Sequence, residues 1–314
     1  MTYLPKPRLH HPDLPTNALG FTHRDYEGAM STLCAGCGHD AIGAAVVRAC
    51  FELSLPPHRI AKLSGIGCSS KTPDYFLGNA HGFNAVHGRM PSVLTGACLA
   101  NRDLIYLGVS GDGDSASIGI GQFVHAMRRG VNMVYIVENN GVYGLTKGQF
   151  SATADKGAKS KRGVANLDEP IDLVGLALHV GATFVARSFS SDKAQLVPLI
   201  KAALMHKGAA FIDCISPCVS FNNHEGSTMS FDHVRAHLRT LGGEYDITDR
   251  EAAMGYVAAH HAKGEITTGL LYVEPHASDL HDLLGTAAKP LNAMDETELC
   301  PGSTTLASIN AALR

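Results

Sequence analysis

The chain has 314 residues, 45% apolar and 18% charged, with no low-complexity tract; this excludes peptide-sized and disordered classes and predicts a packed protein of one large or two modest domains. Lys+Arg 26 against Asp+Glu 29 gives a formal net charge of −3, so the basic surplus that favours nucleic-acid binding by counterion release is missing. The longest apolar stretches, 41–47 and 104–109, fall well short of the ~20 residues that cross a bilayer. The first fifteen residues carry prolines and histidines where a signal peptide has its apolar segment, so a cytoplasmic location without membrane association is expected.

In chain order, residues 1–30 mix Pro, His and charge without apolar periodicity and read as an extended arm. DAIGAAVVRACFEL predicts a helix stopped by Pro56-Pro57, and RIAKLSGIG a short buried strand running into a glycine turn. SVLTGACLA reads as a helix. LIYLGVSG reads as a strand with little polar alternation, as a parallel strand covered on both faces requires. SIGIGQFVHAMRRG and MVYIVEN complete a strand, helix, strand unit. A polar stretch, 151–166, precedes a helix near 171–178, a strand at TFVARS, a helix over KAQLVPLIKAALMHK and a strand at AFIDCIS. From Cys218 onward the chain is richer in His, Asp and Glu, with a helix at DREAAMGYVAAHHAK and a loose tail. The alternation predicts an α/β fold, a mostly parallel sheet with helices on both faces.

Two motifs carry chemistry. Gly111-Asp112-Gly113-Asp114 closes one predicted buried strand, and Asn139-Asn140 closes the next, 25 residues later. Ligands bind beyond the carboxyl ends of parallel strands. The glycines let backbone approach a diphosphate, while Asp112, the Asn140 side chain and a nearby carbonyl offer hard oxygens to Mg²⁺. Both segments are also ordinary turn formers, so the spacing and the flanking strands carry the inference. The second motif is Cys34-Ala35-Gly36-Cys37, with Cys68 at a predicted strand end and Cys218 after a later strand. Four thiolates there suit a [4Fe–4S] cluster or a Cys₄ zinc site, and spacing does not choose between them. Cys50 and Cys98 read as small core residues; Cys214, in an apolar strand, is the rival fourth ligand.

CAGCGHDAIG, GIGCSSKTPDYF, HGR at 87–89, GDGD at 111–114, NNGVYGLTKGQ at 139–149 and ISPC at 215–218 resemble, in order, the β subunit of 2-oxoacid:ferredoxin oxidoreductases. The resemblance covers residues 34 to about 225. It implies the diphosphate-binding half of a thiamine diphosphate fold over 31–245, with the arm 1–30 before it and a helix and tail, 246–314, packed on the same domain. It implies thiamine diphosphate, Mg²⁺ and one [4Fe–4S] cluster as cofactors, and Cys34, Cys37, Cys68 and Cys218 as cluster ligands. Asp112 and Asn140, with the Val142 carbonyl, match the Mg²⁺ ligands. Gly111, Gly113 and Asp114 match residues lining the diphosphate. His87, Gly67, Ser69 and Ser70, and Tyr143, Gly144, Leu145 and Thr146 match segments wrapping the cofactor. His87 and Leu145 are also expected at the reacting centre, with Lys71 and Lys147 approaching the substrate carboxylates. His39 and Asp40 read as capping and packing the cluster loop, and Glu138 as anchoring the asparagine turn.

The activity implied is coenzyme A-dependent oxidative decarboxylation of a 2-oxoacid, 2-oxoglutarate first and pyruvate next, with electrons passing through the cluster to ferredoxin. The partner is an α or fused γ-α subunit that completes the site, in a dimer of heterodimers, so the chain alone is expected to be inactive. Two alternatives differ in class: a cluster-free thiamine-dependent decarboxylase or synthase subunit, and a non-enzymatic scaffold built on a Cys₄ zinc.

Overall fold

The computed structural model describes residues 13–160, 162–286, 288–300 and 302–314; the first twelve residues of the expected arm lie outside the described residues. In chain order the elements are α1 (Gly38–Glu52), β1 (Ile60–Ser64), β2 (His81–Asn84), α2 (Met90–Ala100), β3 (Ile105–Gly111), α3 (Ile120–Arg128), β4 (Met133–Asn139), β5 (Val142–Tyr143) and β6 (Gln149–Phe150). They continue with α4 (Leu173–His179), β7 (Phe184–Phe189), α5 (Lys193–Met205), β8 (Ala209–Ile215), α6 (Phe231–His237), β9 (Leu238–Thr240), α7 (Arg250–His261), β10 (Ile266–Val273), α8 (Leu280–Leu284), α9 (Glu296–Leu299) and α10 (Ser303–Ala312).

Eight strands form one sheet in the order β2-β1-β3-β4-β8-β7-β10-β9. The first six are parallel; β10 pairs antiparallel with β7, and β9 runs parallel to β10. Because successive strand side chains point to opposite faces, the apolar run of β4 fills two cores at once. Met133, Tyr135 and Val137 pack with α2, α3, α4 and α7, whereas Val134 and Ile136 pack with α1 and α5. Phe123, Tyr135 and Phe211 meet edge-on at centroid distances of 5.0 to 6.2 Å and anchor the first core. Asp172, Asp192 and Asp249 cap α4, α5 and α7 by accepting backbone N–H bonds from their first turns.

The mostly parallel α/β sheet is as the sequence predicts, with three differences. The tail read as loose contributes β10, which the pattern hid because Gly269 (φ +118°) and a bulge between Leu270 and Tyr272 interrupt the alternation. The edge strand β2 is exposed along its length and has no apolar signature. The helix expected from Ser117 begins earlier, as a π-helical turn over Asp114–Ile118, before α3 starts at Ile120. In the described part of the arm Tyr26 is fully buried against Phe21 and Phe51, and Asn17 Nδ2 donates to its hydroxyl at 2.8 Å. No helix among the described residues is long and apolar enough to cross a membrane.

Candidate active site

The parallel pairing of Gly111 with Glu138 sets the last residues of β3 and β4 side by side, so the turns carrying Asp112 and Asn140 emerge next to each other. Both side chains are buried, Asp112 at 1% exposure. Asp112 Oδ2 accepts from the Gly141 N–H at 3.1 Å, from Thr153 Oγ1 at 2.7 Å and from Ser151 Oγ; its Oδ1 meets only the Asn140 N–H at 3.3 Å among the described residues. Asn140 turns back on itself, its Oδ1 accepting from the Val142 N–H at 3.0 Å. Burial raises the Asp112 carboxyl above its usual range, and the Ser151 and Thr153 hydroxyls only partly offset this. No cationic side chain among the described residues pairs with it.

These groups floor an open cleft of about 590 Å³, solvent space at its mouth included, walled by Gly67, Cys68, Ser69 and His87 on one side and Val142 to Thr146 on the other. Ser69 is buried and its hydroxyl has no partner among the described residues, an unmet donor and acceptor facing Gly111. A Cβ on Gly111 would lie 3.1 Å from that hydroxyl, and one on Gly113 2.4 Å from the Tyr143 ring. The glycines are therefore needed where backbone floors the cleft. Asp114 has both oxygens engaged, Oδ1 by the Gly88 N–H at 2.8 Å and Oδ2 by Ser110 Oγ at 2.7 Å, so it ties the His87 turn to β3. His39 is buried, its Nδ1 2.6 Å from Ser216 Oγ and its Nε2 3.5 Å from Asn140 Nδ2; burial lowers its pKa to about 4 and keeps the ring neutral. Glu138 accepts from Thr72 Oγ1 at 2.8 Å while its Oε1 has no partner among the described residues, and burial pushes its carboxyl well above the usual range.

Beside this cleft lie the cysteines. A Cβ on Gly144 would sit 3.4 Å from Cys68 Sγ and 3.6 Å from Cys218 Sγ, so the absent side chain leaves room for both thiols at the cleft wall. Cys37 is near enough to Cys218, and Cys68 to Cys218 and Cys34, for their charges to interact, and Ser220 Oγ donates to Cys34 Sγ at 3.3 Å. Burial, with Glu138 and neighbouring thiols adding to it, pushes Cys37 up to about 12 and raises Cys68. Among the described residues no three His, Cys, Asp or Glu side chains are already drawn into metal-ligating geometry. Cys214 lies wholly in the core between β4 and β7, remote from solvent.

The donor chemistry fits the implied groups: hard oxygens at Asp112 and Asn140 suit a divalent cation, an unpaired Ser69 hydroxyl and bare glycine backbone suit a diphosphate, and neighbouring thiols suit iron–sulfur ligation. Other expected residues sit apart. Ser70 Oγ donates to its own turn, to the Gly67 carbonyl at 2.8 Å. Lys71 is half-buried outside the cleft lining, and exposed Lys147, at φ +78°, lines a neighbouring cavity with Arg162 and Phe221. Leu145 stands 53% exposed at the cleft mouth. Ser151 and Thr153 were not legible as site residues, because two hydroxyls in a polar stretch carry no pattern.

Fold and cleft together define a thiamine diphosphate-binding α/β protein, and residues 65–214 match the family model of the thiamine pyrophosphate enzyme C-terminal TPP-binding domain. Residues 218–289 match the C-terminal family of the pyruvate ferredoxin oxidoreductase β chain. The 2-oxoacid:ferredoxin oxidoreductase subunit β of a Sulfolobus species is 44% identical over 191 residues, covering 60% of this chain and 63% of that protein. The 2-oxoglutarate oxidoreductase subunit KorB of Mycobacterium tuberculosis is 42% identical over 64% of this chain and 52% of its own length, so the match spans less than two thirds of either relative. It reaches 69% of the 2-oxoglutarate synthase subunit KorB of Methanocaldococcus jannaschii, at 36% identity. A solved 2-oxoglutarate:ferredoxin oxidoreductase from Magnetococcus marinus, with 2-oxoglutarate, coenzyme A and succinyl-CoA bound, superposes with a TM-score of 0.79 at 33% identity over 91% of this chain and 96% of that one. The chain belongs to the β-subunit family of 2-oxoacid:ferredoxin oxidoreductases.

Proposed function

We propose that the chain is the cofactor-binding subunit of a coenzyme A-dependent 2-oxoacid:ferredoxin oxidoreductase, holding thiamine diphosphate, Mg²⁺ and a [4Fe–4S] cluster in one loop cluster. The observation that carries this reading is the adjacency of Asp112 and Asn140, on neighbouring strand ends, to a cleft whose wall is Cys68. When bound, thiamine diphosphate supplies a nucleophilic carbon and an electron sink for decarboxylation, and a cluster supplies one-electron transfer. The chain's own residues do the positioning. Asp112 Oδ1, Asn140 Oδ1 and the Val142 carbonyl would hold the cation. Ser69 and the backbone at Gly111 and Gly113 would meet the diphosphate, and Tyr143 and Leu145 would shield the reacting end from water. Cys34, Cys37, Cys68 and Cys218 would hold the cluster.

2-Oxoglutarate is the favoured substrate and pyruvate the next, on the names of the relatives alone, since Lys71 and Lys147 do not line the cleft. The open cleft mouth is where an α or fused γ-α subunit would close the site, in a dimer of heterodimers that passes electrons to ferredoxin. Free thiols throughout the described chain suit a reducing, cytoplasmic compartment. Residues 31–245 are the cofactor domain, preceded by the arm, with the segment 246–314 packed on the same domain.

The test is an anaerobic assay of iron, acid-labile sulfide, zinc and thiamine on the chain purified with its native partner. Iron and sulfide near about four each, with thiamine, are expected for one cluster. Thiamine without iron would move the assignment to a cluster-free decarboxylase, and zinc without thiamine would sink the enzyme reading.

A further inference from the structure

The acceptor capacity of Asp112 is divided unequally. Three donors converge on Oδ2, from Gly141, Ser151 and Thr153, whereas Oδ1 is nearly free. Thr153 stands at the end of a partly buried chain of polar contacts. Its Oγ1 lies 3.0 Å from Asn139 Oδ1; Asn139 Nδ2 donates to Asp213 Oδ1 at 3.0 Å; Asp213 Oδ2 accepts from Arg187 Nε at 2.8 Å; and Arg187 Nη2 donates to Asp172 Oδ1 at 2.5 Å. Asp172 in turn caps α4, accepting from the Val174 and Gly175 N–H groups at 3.1 Å each. The chain therefore runs from a helix cap, across the ends of β7, β8 and β4, to the carboxylate at the end of β3. Its backbone is fixed as well, since the Ile171 N–H donates to the Ala152 carbonyl at 2.7 Å.

We infer that Thr153 is a positioning residue for the metal-binding carboxylate: it holds Asp112 in the rotamer that keeps Oδ2 on the protein and presents Oδ1 alone to a divalent cation. The inference rests on the proposed thiamine diphosphate–Mg²⁺ site and adds a residue to it that touches neither group. The Thr153 hydroxyl has one proton for three neighbouring oxygens, Asp112 Oδ2, Asn139 Oδ1 and, at 3.0 Å, Ser151 Oγ. The carboxylate is the strongest of them, while the Asn139 amide, pinned through Asp213 to Arg187, limits where the hydroxyl oxygen sits. Removing a partner that orients a metal ligand typically costs ten- to a hundredfold in metal affinity.

The experiment is a Mg²⁺ titration of thiamine diphosphate uptake, by equilibrium dialysis, on the metal-stripped chain purified with its partner. The variants are Thr153→Val, which keeps the shape without the hydroxyl, and Thr153→Ser, which restores the hydroxyl. Thr153→Ala gives the same reading where the valine variant does not fold. The Mg²⁺ dissociation constant is expected to rise about tenfold or more in the valine and alanine variants and to stay within about threefold in the serine variant. Iron content should be equal in all. Valine and alanine variants within threefold of the parent would overturn the inference, as would a serine variant as weak as they are. A parent complex whose thiamine diphosphate uptake ignores Mg²⁺ would instead remove the underlying site assignment, and the role of Thr153 with it.

Discussion

Tyr143 lays its ring against Gly113 so closely that a methyl group there would lie 2.4 Å from Cε1, and its hydroxyl meets the Gly113 carbonyl at 3.1 Å and Ser117 Oγ at 2.7 Å. The contact fastens the loop after the asparagine pair, one wall of the cleft, to the turn after β3, its floor. Gly113→Ala is therefore expected to push the 142–146 wall outward and weaken thiamine diphosphate binding at least about tenfold, within the 1–3 kcal/mol typical of overpacking. Equilibrium dialysis of the cofactor checks this. The double variant Gly113→Ala/Tyr143→Ala should recover part of the loss, and a double variant no better than the single one would rule out the ring clash as the cause.

The two cofactor sites share a wall but not their ligands, which predicts separable losses. Asp112→Ala should abolish Mg²⁺-dependent thiamine diphosphate binding and leave iron content unchanged, while Cys68→Ser should deplete iron and leave most thiamine diphosphate bound. Metal analysis and a thiamine assay on the same preparations read both. Loss of both cofactors in both variants would mean that the sites do not stand separately.

Lys62 sets a pH dependence of stability. It is buried on β1, its Nζ donating to the Pro73 and Phe76 carbonyls at 2.6 and 2.7 Å, and it so holds the 68–76 segment that carries Cys68. Burial lowers its pKa to about 8, with Asp74 acting weakly the other way. The unfolded chain titrates this group near about 10.4. Between those values the unfolded state binds the extra proton, so the contribution of Lys62 to stability grows as pH rises from about 8 to about 10.4 and is lost as pH falls back through that window. The urea midpoint of the parent minus that of Lys62→Met should therefore rise between pH 7.5 and 10. A flat or falling difference would show that the ammonium is not the strained form.

Sequence pattern exposed those parts of the molecule whose physics is repetitive. β1, β3, β4, β7 and β8 read directly because strands covered on both faces must be apolar throughout, and Asp112 and Asn140 read because each follows a buried strand by one turn. β10 did not, since Gly269 breaks its alternation, nor did β2, which is polar and exposed. Asp114 shows what the motif leaves out: it lines the cleft, but its carboxylate oxygens are engaged by Gly88 and Ser110, a tie between loops that no local pattern shows. Thr153 and Arg187 were invisible because their roles arise from long-range convergence, 41 residues from Asp112 in one case and 26 from Asp213 in the other.

Arg187 gives the sharpest stability prediction. Its guanidinium is buried between Asp172 and Asp213, and although burial alone would raise the Asp172 carboxyl, Arg187 more than offsets this and holds it below the usual range. Arg187→Met removes the only cation that pairs with Asp213 among the described residues and leaves that carboxylate, 1% exposed, with the Asn139 amide alone. Breaking a buried pair on one side costs about 3–5 kcal/mol. The sign of the pH dependence follows. Arg187 holds Asp172 below its unfolded value near about 3.9, so the stability it contributes through Asp172 is present above that value and is lost as pH falls through the lowered one. Urea unfolding of parent and variant at pH 8 and pH 3 should show a gap that narrows at the lower pH, and Arg187→Met/Asp213→Asn should regain part of the loss at pH 8. A gap of under about 1 kcal/mol, or one that widens on acidification, would mean that Arg187 does not neutralise the carboxylates it touches.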